Sequence, residues 1–377
     1  MTGNPIIIAG PCSAESEDQL FETAKALKEI CAVNATLDSK VSDSACCGEA
    51  GCLRVSMLRA GLWKPRTHPD SFQGVGVGGF KWLTRIHKEL GMKVMIEVAS
   101  AAHARAALKH GIDAVWIGAR TTTNPFLVQE IASELEGSDM PVFVKNPVNP
   151  DVELWAGAVE RFRAAGLSQI YAIHRGFSFF GKTKYRNIPQ WQVPLDLMSR
   201  FPELPVICDP SHISGTRELV DEVAQTAMDL GLDGLFIESH ISPDDALSDS
   251  QQQITPSALS SLLSSLVIRR GSFAKAAGIC GKSGANEGMQ APEHIGMLRS
   301  QIDMLDDNII ELLAKRMEIS AELGRYKAEN DIPIFQPERW QKVLEGVSKQ
   351  ASELGLDPSG VREIFKIIHQ MSIDKQR

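Results

Sequence analysis

Cys12, His212, Glu238 and Asp249 are the residues of this 377-residue chain whose types suit a divalent metal ion. Thiolate, imidazole and carboxylate form a mixed donor set, so ligand type alone does not select the metal. A second group is cationic: Arg59, Lys64, Arg66, Arg120, Lys145 and Arg175. Arginine suits planar recognition of carboxylate and phosphate. Taken singly, each has a plain explanation, since a lone cysteine usually packs in a core and a lone lysine is usually solvated. Taken jointly they do not, because nearly all stand at or just beyond the ends of short apolar runs. Six cations at one mouth repel unless an anion occupies it. The net charge of −8 argues against a nucleic-acid partner, so such a cluster suits small polyanions.

The elements that must position these residues are eight Val- and Ile-rich runs, at 5–10, 53–59, 93–98, 114–118, 141–145, 170–174, 205–208 and 234–237. Helical patterns lie between them, and Gly91, Gly111 and Gly231 follow three of these as C-terminal caps would. Strand and helix alternating at this spacing predict a parallel sheet. Eight units predict a TIM (β/α)8 barrel rather than an open doubly wound sheet, and in a barrel the chemistry lies at the C-terminal strand ends. Residues 34–51, rich in Ser, Asp, Ala and Cys, read as a surface loop. The first strand starts so early that no separate domain is expected before it.

The length suits two domains. We expect the barrel over 1–268, a Gly-, Ala- and Ser-rich linker over 269–292 and a helical domain over 293–377. No apolar run reaches the ~20 residues of a membrane helix. No secretory signal is visible, and an odd count of seven cysteines fits a reducing compartment, so a cytoplasmic location and no membrane partner are expected. The glycine run at 74–79 and the cysteines at 46, 47 and 52 are discounted, for want of a preceding strand and of paired ligands.

In the helical domain Leu298, Ile302, Leu305, Ile309, Leu312, Ile319 and Leu323 form a heptad seam. Arg316 and Lys327 continue it, which is costly unless something anionic pairs with them. The first helix, to about Glu329, is too long to stand alone, and a second copy of the chain, giving a homodimer, is the expected partner.

The motifs IAGPCS (8–13), LWKPRTHPDSFQG (62–74), IGAR (117–120), DPSH (209–212) and IES with ALSD (237–249) resemble type I beta 3-deoxy-D-arabino-heptulosonate 7-phosphate (DAHP) synthases. The resemblance implies Cys12, His212, Glu238 and Asp249 as ligands of a divalent metal, Mn2+ first. It implies Arg59, Lys64, Arg120, Lys145 and Arg175 around phosphoenolpyruvate, and Lys64, Pro65, Arg66 and Thr67 around erythrose 4-phosphate. Lys64, Lys145 and Glu97 are the expected catalytic groups, Glu97 as a support to the ligands or a proton carrier. An octulosonate 8-phosphate synthase carrying a non-catalytic helical regulatory or dimerisation module is the alternative. That family usually has Ala-Asn-Arg in place of Pro65-Arg66.

The segments LRSQID, AKRMEI, GRYK, PIFQPERW and MSIDKQ resemble the all-helical chorismate mutases. This implies Arg316 and Arg339 on substrate carboxylates, Arg299 from the other subunit, and Lys327 and Gln376 as catalytic donors to the ether oxygen of chorismate. Family members often have Asp at the position of Gln336 and Glu at that of Trp340, contacting the substrate hydroxyl. Here that contact is expected from elsewhere, with Glu338 as the candidate, and Gln376, the penultimate residue, is expected to fray. The resemblances together imply a bifunctional enzyme, and its fusion through a flexible linker leads us to expect that prephenate bound to the helical domain inhibits the barrel.

Overall fold

The computed structural model describes residues 4–30, 32–34, 52–64, 70–181, 183–268 and 291–376. Most of the 34–51 loop, Pro65, Arg66 and Thr67, and nearly all of the 269–292 segment lie outside these. The chain divides into two compact units, Met1–Gly281 and Lys282–Arg377.

The first unit is a closed barrel of eight parallel strands, each paired with its neighbours in sequence and the last with the first. The strands are β1 (Ile6–Gly10), β2 (Met57–Arg59), β3 (Val94–Val98), β4 (Ala114–Ile117), β5 (Val142–Lys145), β6 (Ile170–His174), β7 (Val206–Cys208) and β8 (Gly234–Glu238). Between and after them run α1 (Glu17–Lys28), α2 (Phe80–Leu90), α3 (Ala101–Lys109), α4 (Pro125–Leu135), α5 (Val152–Ala164), α6 (Gln192–Arg200), α7 (Val220–Asp229) and α8 (Pro256–Ser265). The capping chemistry is local. Ser16, Ser100, Asn124, Asp151 and Thr255 each accept a hydrogen bond from a first-turn N–H. Gly91, Gly111 and Gly231 have the positive φ of helix terminators.

The run at 53–59 divides. Cys52–Leu53 pairs antiparallel with Ala32–Val33 outside the barrel. Barrel bonding resumes at Ser56, whose N–H and hydroxyl both donate to the Ile7 carbonyl at 2.8 Å.

Alternation along the strands makes two cores. Ile7, Ala9, Val115, Val142, Leu235 and Ile237 face the helices, whereas Ile8, Met95, Trp116, Phe143, Ile173, Ile207 and Phe236 fill the barrel. The interior is therefore plugged, with Trp116 edge-on to Phe236 at 5.4 Å.

Among its described residues the second unit has three helices, α9 (Ala291–Glu329), α10 (Pro337–Glu353) and α11 (Pro358–Gln376). The seam residues of α9 are exposed on this chain: Ile302 by 56%, Leu312 by 64% and Ile319 by 67%. Gln376, expected to fray, is helical here. It is the last residue of α11, and its side chain accepts from Lys327 Nζ at 3.0 Å.

β8 opens on a glycine because the seam closes there: a Cβ at Gly234 would lie 2.1 Å from the Ile6 carbonyl oxygen. Gly234→Ala is expected to lower barrel stability by about 3 kcal/mol. Urea unfolding followed by tryptophan fluorescence checks this, and an unchanged midpoint would contradict the packing at the seam.

Candidate functional site

The floor of the barrel mouth is aromatic. The Arg59 guanidinium, at the end of β2 and 1% exposed, lies 4.2 Å from the Phe236 ring centroid and 5.1 Å from that of Trp116. A charge so buried must be paired. Arg59 Nη2 meets Glu238 Oε1 at 3.0 Å, and Nη1 lies 3.8 Å from Asp209 Oδ2.

Asp209 is a hub that sequence reasoning saw only as a strand end. Its Oδ2 is 2.8 Å from Lys145 Nζ and 2.8 Å from His212 Nδ1, and its Oδ1 accepts from the His212 N–H at 3.0 Å. Burial opposes its charge, but His212, Lys145 and Arg59 together hold its carboxyl well below the usual range. With Nδ1 against Asp209, the other nitrogen of His212, Nε2, faces Glu238 Oε1 at 3.7 Å. A histidine oriented by a carboxylate in this way is the usual arrangement behind a metal ligand.

Cys12, Glu238 and Asp249 each offer a donor atom, all within 4.8 Å of one another. Cys12 Sγ is 3.2 Å from Asp249 Oδ2, and Lys64 Nζ lies 2.6 Å from Cys12 Sγ and 2.9 Å from Asp249 Oδ2. Burial, then the Glu238 charge, pushes the Cys12 thiol up to about 12, with Lys64 only partly offsetting them. Such a thiol becomes a thiolate at neutral pH only with a strong cation beside it, and the spacing of Cys12, Glu238 and Asp249 leaves room for a divalent ion to be that cation. Burial lowers the pKa of Lys64, but Cys12, Asp249 and Glu238 outweigh it and the net shift is upward. Asp249 is held well below the carboxylate range because Lys64, His212 and Arg186 outweigh burial.

The cations are not mutually repelling in the way the sequence suggests, because Asp209, Glu238 and Asp249 are interleaved with them. The field still favours an anion. Burial and Arg59 outweigh Asp209 and lower the pKa of Lys145. Arg175 falls to about 10, from burial first, then Arg186 and Arg120 against Asp209. An arriving anion would relieve both. Arg175 is aimed by Asn187, whose Oδ1 accepts from its Nη1 at 2.8 Å, and by Asn146, whose Oδ1 accepts from its N–H at 2.6 Å. Arg120, in the short helical turn Ala119–Thr122, is exposed. Glu97 accepts from Trp116 Nε1 at 3.2 Å, so it sits beside the floor. Pro65, Arg66 and Thr67 lie outside the described residues.

Sequence reasoning also missed Arg186 and Gln252. Arg186 Nη1 donates to Gln252 Oε1 at 2.7 Å and to Asp249 Oδ1 at 3.2 Å, and Gln252 Nε2 donates to Glu238 Oε2 at 2.7 Å. No strand end marks these residues, so pattern alone could not find them.

In the helical unit Arg316 and Lys327 turn from α9 toward α11. Arg316 donates to Ser372 Oγ, and Lys327, 7% exposed, donates to the Ile334 carbonyl at 2.6 Å as well as to Gln376. A Cβ at Gly324 would lie 2.6 Å from the Gln376 Cα, so glycine there lets the two helices meet. Trp340 stacks on His369 at 3.9 Å. Arg299 and Arg339 are exposed, and among the described residues no hydrogen bond or ion pair joins them to this patch. Ser372 and His369 were not anticipated.

Residues 2–268 match the family model of the DAHP synthetase I family, and residues 298–377 match that of Chorismate mutase type II. A phospho-2-dehydro-3-deoxyheptonate aldolase of Thermotoga maritima is 31% identical over 66% of this chain; the match spans 64% of that relative's length. A 2-dehydro-3-deoxyphosphooctonate aldolase of Desulfotalea psychrophila is 29% identical over 71% of this chain and 90% of its own. The crystal structure of the Thermotoga maritima DAHP synthase aligns with a TM-score of 0.58 at 30% identity, covering 69% of this chain and 68% of that one. A truncated form of that synthase gives 0.55 at 27%, covering 69% and 84%.

One buried group beside this site sets an acid limit. His174, fully buried among Trp155, Phe177 and Trp191, is pushed down to about 3 by burial and then by Arg175. Its folded pKa lies below the unfolded value of about 6.5, so the unfolded chain takes up the extra proton. The contribution is intact above pH 6.5 and is lost as pH falls from there toward 3, at up to about 1.4 kcal/mol per pH unit. Denaturant unfolding of the barrel from pH 7 to 4 should show a slope to which His212 and His103, also lowered by burial, contribute, and His174→Gln should remove the His174 share of it. Equal slopes would show that His174 is not the group responsible.

Proposed function

The chain belongs to the DAHP synthetase I family, and from that premise we propose that its barrel joins phosphoenolpyruvate to erythrose 4-phosphate, with water, to give DAHP and phosphate. One observation carries the reading: a buried thiol and two carboxylates within 4.8 Å of one another stand beside Lys145 and Arg175, whose charges burial disfavours. That combination suits a metal-assisted reaction of an anionic substrate.

Arg59, Lys145, Arg175 and Arg120 hold the carboxylate and phosphate of phosphoenolpyruvate, and Lys64, Pro65, Arg66 and Thr67 receive the aldose phosphate. Two anions are thereby held close enough to react. C3 of phosphoenolpyruvate forms a bond to the aldehyde carbon, whose oxygen gains charge and then a proton. Lys64, kept protonated by Cys12, Asp249 and Glu238, offsets that charge. Water adds at C2, and the phosphate leaves with the C2–O bond electrons. Glu97 is the candidate proton carrier. Cys12, His212, Glu238 and Asp249 would hold a divalent ion, Mn2+ being our first choice, which would supply Lewis acidity toward the aldehyde. Pro65-Arg66, in place of Ala-Asn-Arg, supports the four-carbon aldose over the octulosonate alternative.

In the helical unit we propose rearrangement of chorismate to prephenate. Arg316 and Arg339 take its carboxylates, and Lys327 and Gln376 donate to the ether oxygen as the C–O bond breaks and the C–C bond forms. Positioned donors suffice for this concerted step. The exposed α9 seam supports a homodimer, whose second copy supplies Arg299. We assign the barrel to 1–268, a linker to 269–292 and the mutase domain to 293–377. A reduced Cys12 suits a cytoplasmic location.

Chelation or Cys12→Ala is expected to lower DAHP formation on the order of a hundredfold or more while chorismate turnover persists. Arg316→Ala is expected to do the reverse, by about a hundredfold or more. Loss of both activities from either change would overturn the division of labour. Fusion of an early and a late step also supports feedback, so prephenate should inhibit DAHP formation by the whole chain but not by a chain ending near 267. Equal sensitivity in both assays would refute this.

A further inference from the structure

Resting on the mutase reading above, we propose that His369 is a substrate-contacting residue of the helical site and accepts the hydrogen bond of the chorismate hydroxyl. Chorismate presents two carboxylates, an ether oxygen and one hydroxyl. Arg316, Arg339, Lys327 and Gln376 are all suited to the first three. The hydroxyl proton needs an acceptor, and α10 offers none of the acidic groups its family usually places there. Trp340 is a donor only, and the two groups there that could accept, Gln336 at the N-cap and Glu338 in the first turn of α10, are both exposed.

The structure supplies an acceptor from α11 instead. Trp340 lies flat against His369, with 3.9 Å between ring centroids and 9° between planes, and Phe335 is 6.0 Å away. The stack fixes the imidazole plane, which a freely rotating side chain would lack. His369 Nε2 is buried and makes no hydrogen bond among the described residues. A buried nitrogen without a partner costs stability unless a ligand completes it. His369 also lies within the field of Arg316 and Lys327, which add to burial in lowering its pKa. In the tautomer with the proton on Nδ1, Nε2 carries a lone pair, on a ring that also feels the charges of Arg316 and Lys327. The tryptophan that displaces the family's acid thus also positions its replacement.

The test uses the full chain and two substrates, chorismate and its analogue lacking the ring hydroxyl. Wild-type turnover of chorismate comes first, since its absence would sink the mutase reading rather than this one. His369→Phe keeps a ring against Trp340 but removes the nitrogen. It is expected to lose about tenfold in kcat/KM on chorismate, the worth of one hydrogen bond, and nothing on the analogue. His369→Gln, which restores an acceptor, is expected to recover within about threefold of wild type. Circular dichroism verifies that both variants fold. Equal losses on both substrates, or a His369→Phe enzyme as active as wild type, would overturn the proposal.

Discussion

A single buried carboxylate organises the barrel mouth. Asp209 has no access to solvent, yet it is ionised, and that is sustainable only because Lys145, His212 and Arg59 converge on it. The dependence runs both ways. Lys145 is itself buried and without Asp209 its burial would go uncompensated, whereas Arg59 divides its pairing between Asp209 and Glu238. Because these partners come from β2, β5 and the turn after β7, one ionised group fixes the relative positions of three separate strand ends. It also orients His212 so that its second nitrogen points toward Glu238.

The helical unit solves the same problem with less machinery. Lys327 is buried among neutral acceptors, the Ile334 carbonyl and Gln376, rather than against a carboxylate. Neutral acceptors satisfy the ammonium hydrogens without cancelling the charge. The charge therefore remains available to a ligand, whereas the barrel holds much of its positive charge in internal pairs. This difference suits a unimolecular rearrangement that needs a fixed positive field more than it needs two anions forced together.

Much of this was legible in the sequence for identifiable reasons. The barrel declared itself because fully buried parallel strands read as continuous Val and Ile runs, and the helix ends because Gly91, Gly111 and Gly231 punctuate them. The heptad pattern marked the α9 seam, and Arg316 and Lys327 stood out by interrupting it. What stayed hidden was pairing. Asp209 was visible only as part of a motif, and its link to Lys145 spans 64 residues. Arg186 and Gln252 sit in loops, where no period applies. The division of the 53–59 run was illegible because Leu53 is as apolar as a barrel residue and only Ser56 marks the re-entry. Gln376 misled by its terminal position, since its partner lies on another helix.

The plugged interior beneath the mouth has one more consequence. With Trp116, Phe143 and Phe236 filling the barrel, the pocket is a blind alley: everything enters and leaves by the same doorway. A ligand seated against the buried Arg59 and Lys145 would have no exit through the barrel. Two ligands stacked along the barrel axis would therefore have to leave in the reverse of the order in which they arrived, whatever their affinities.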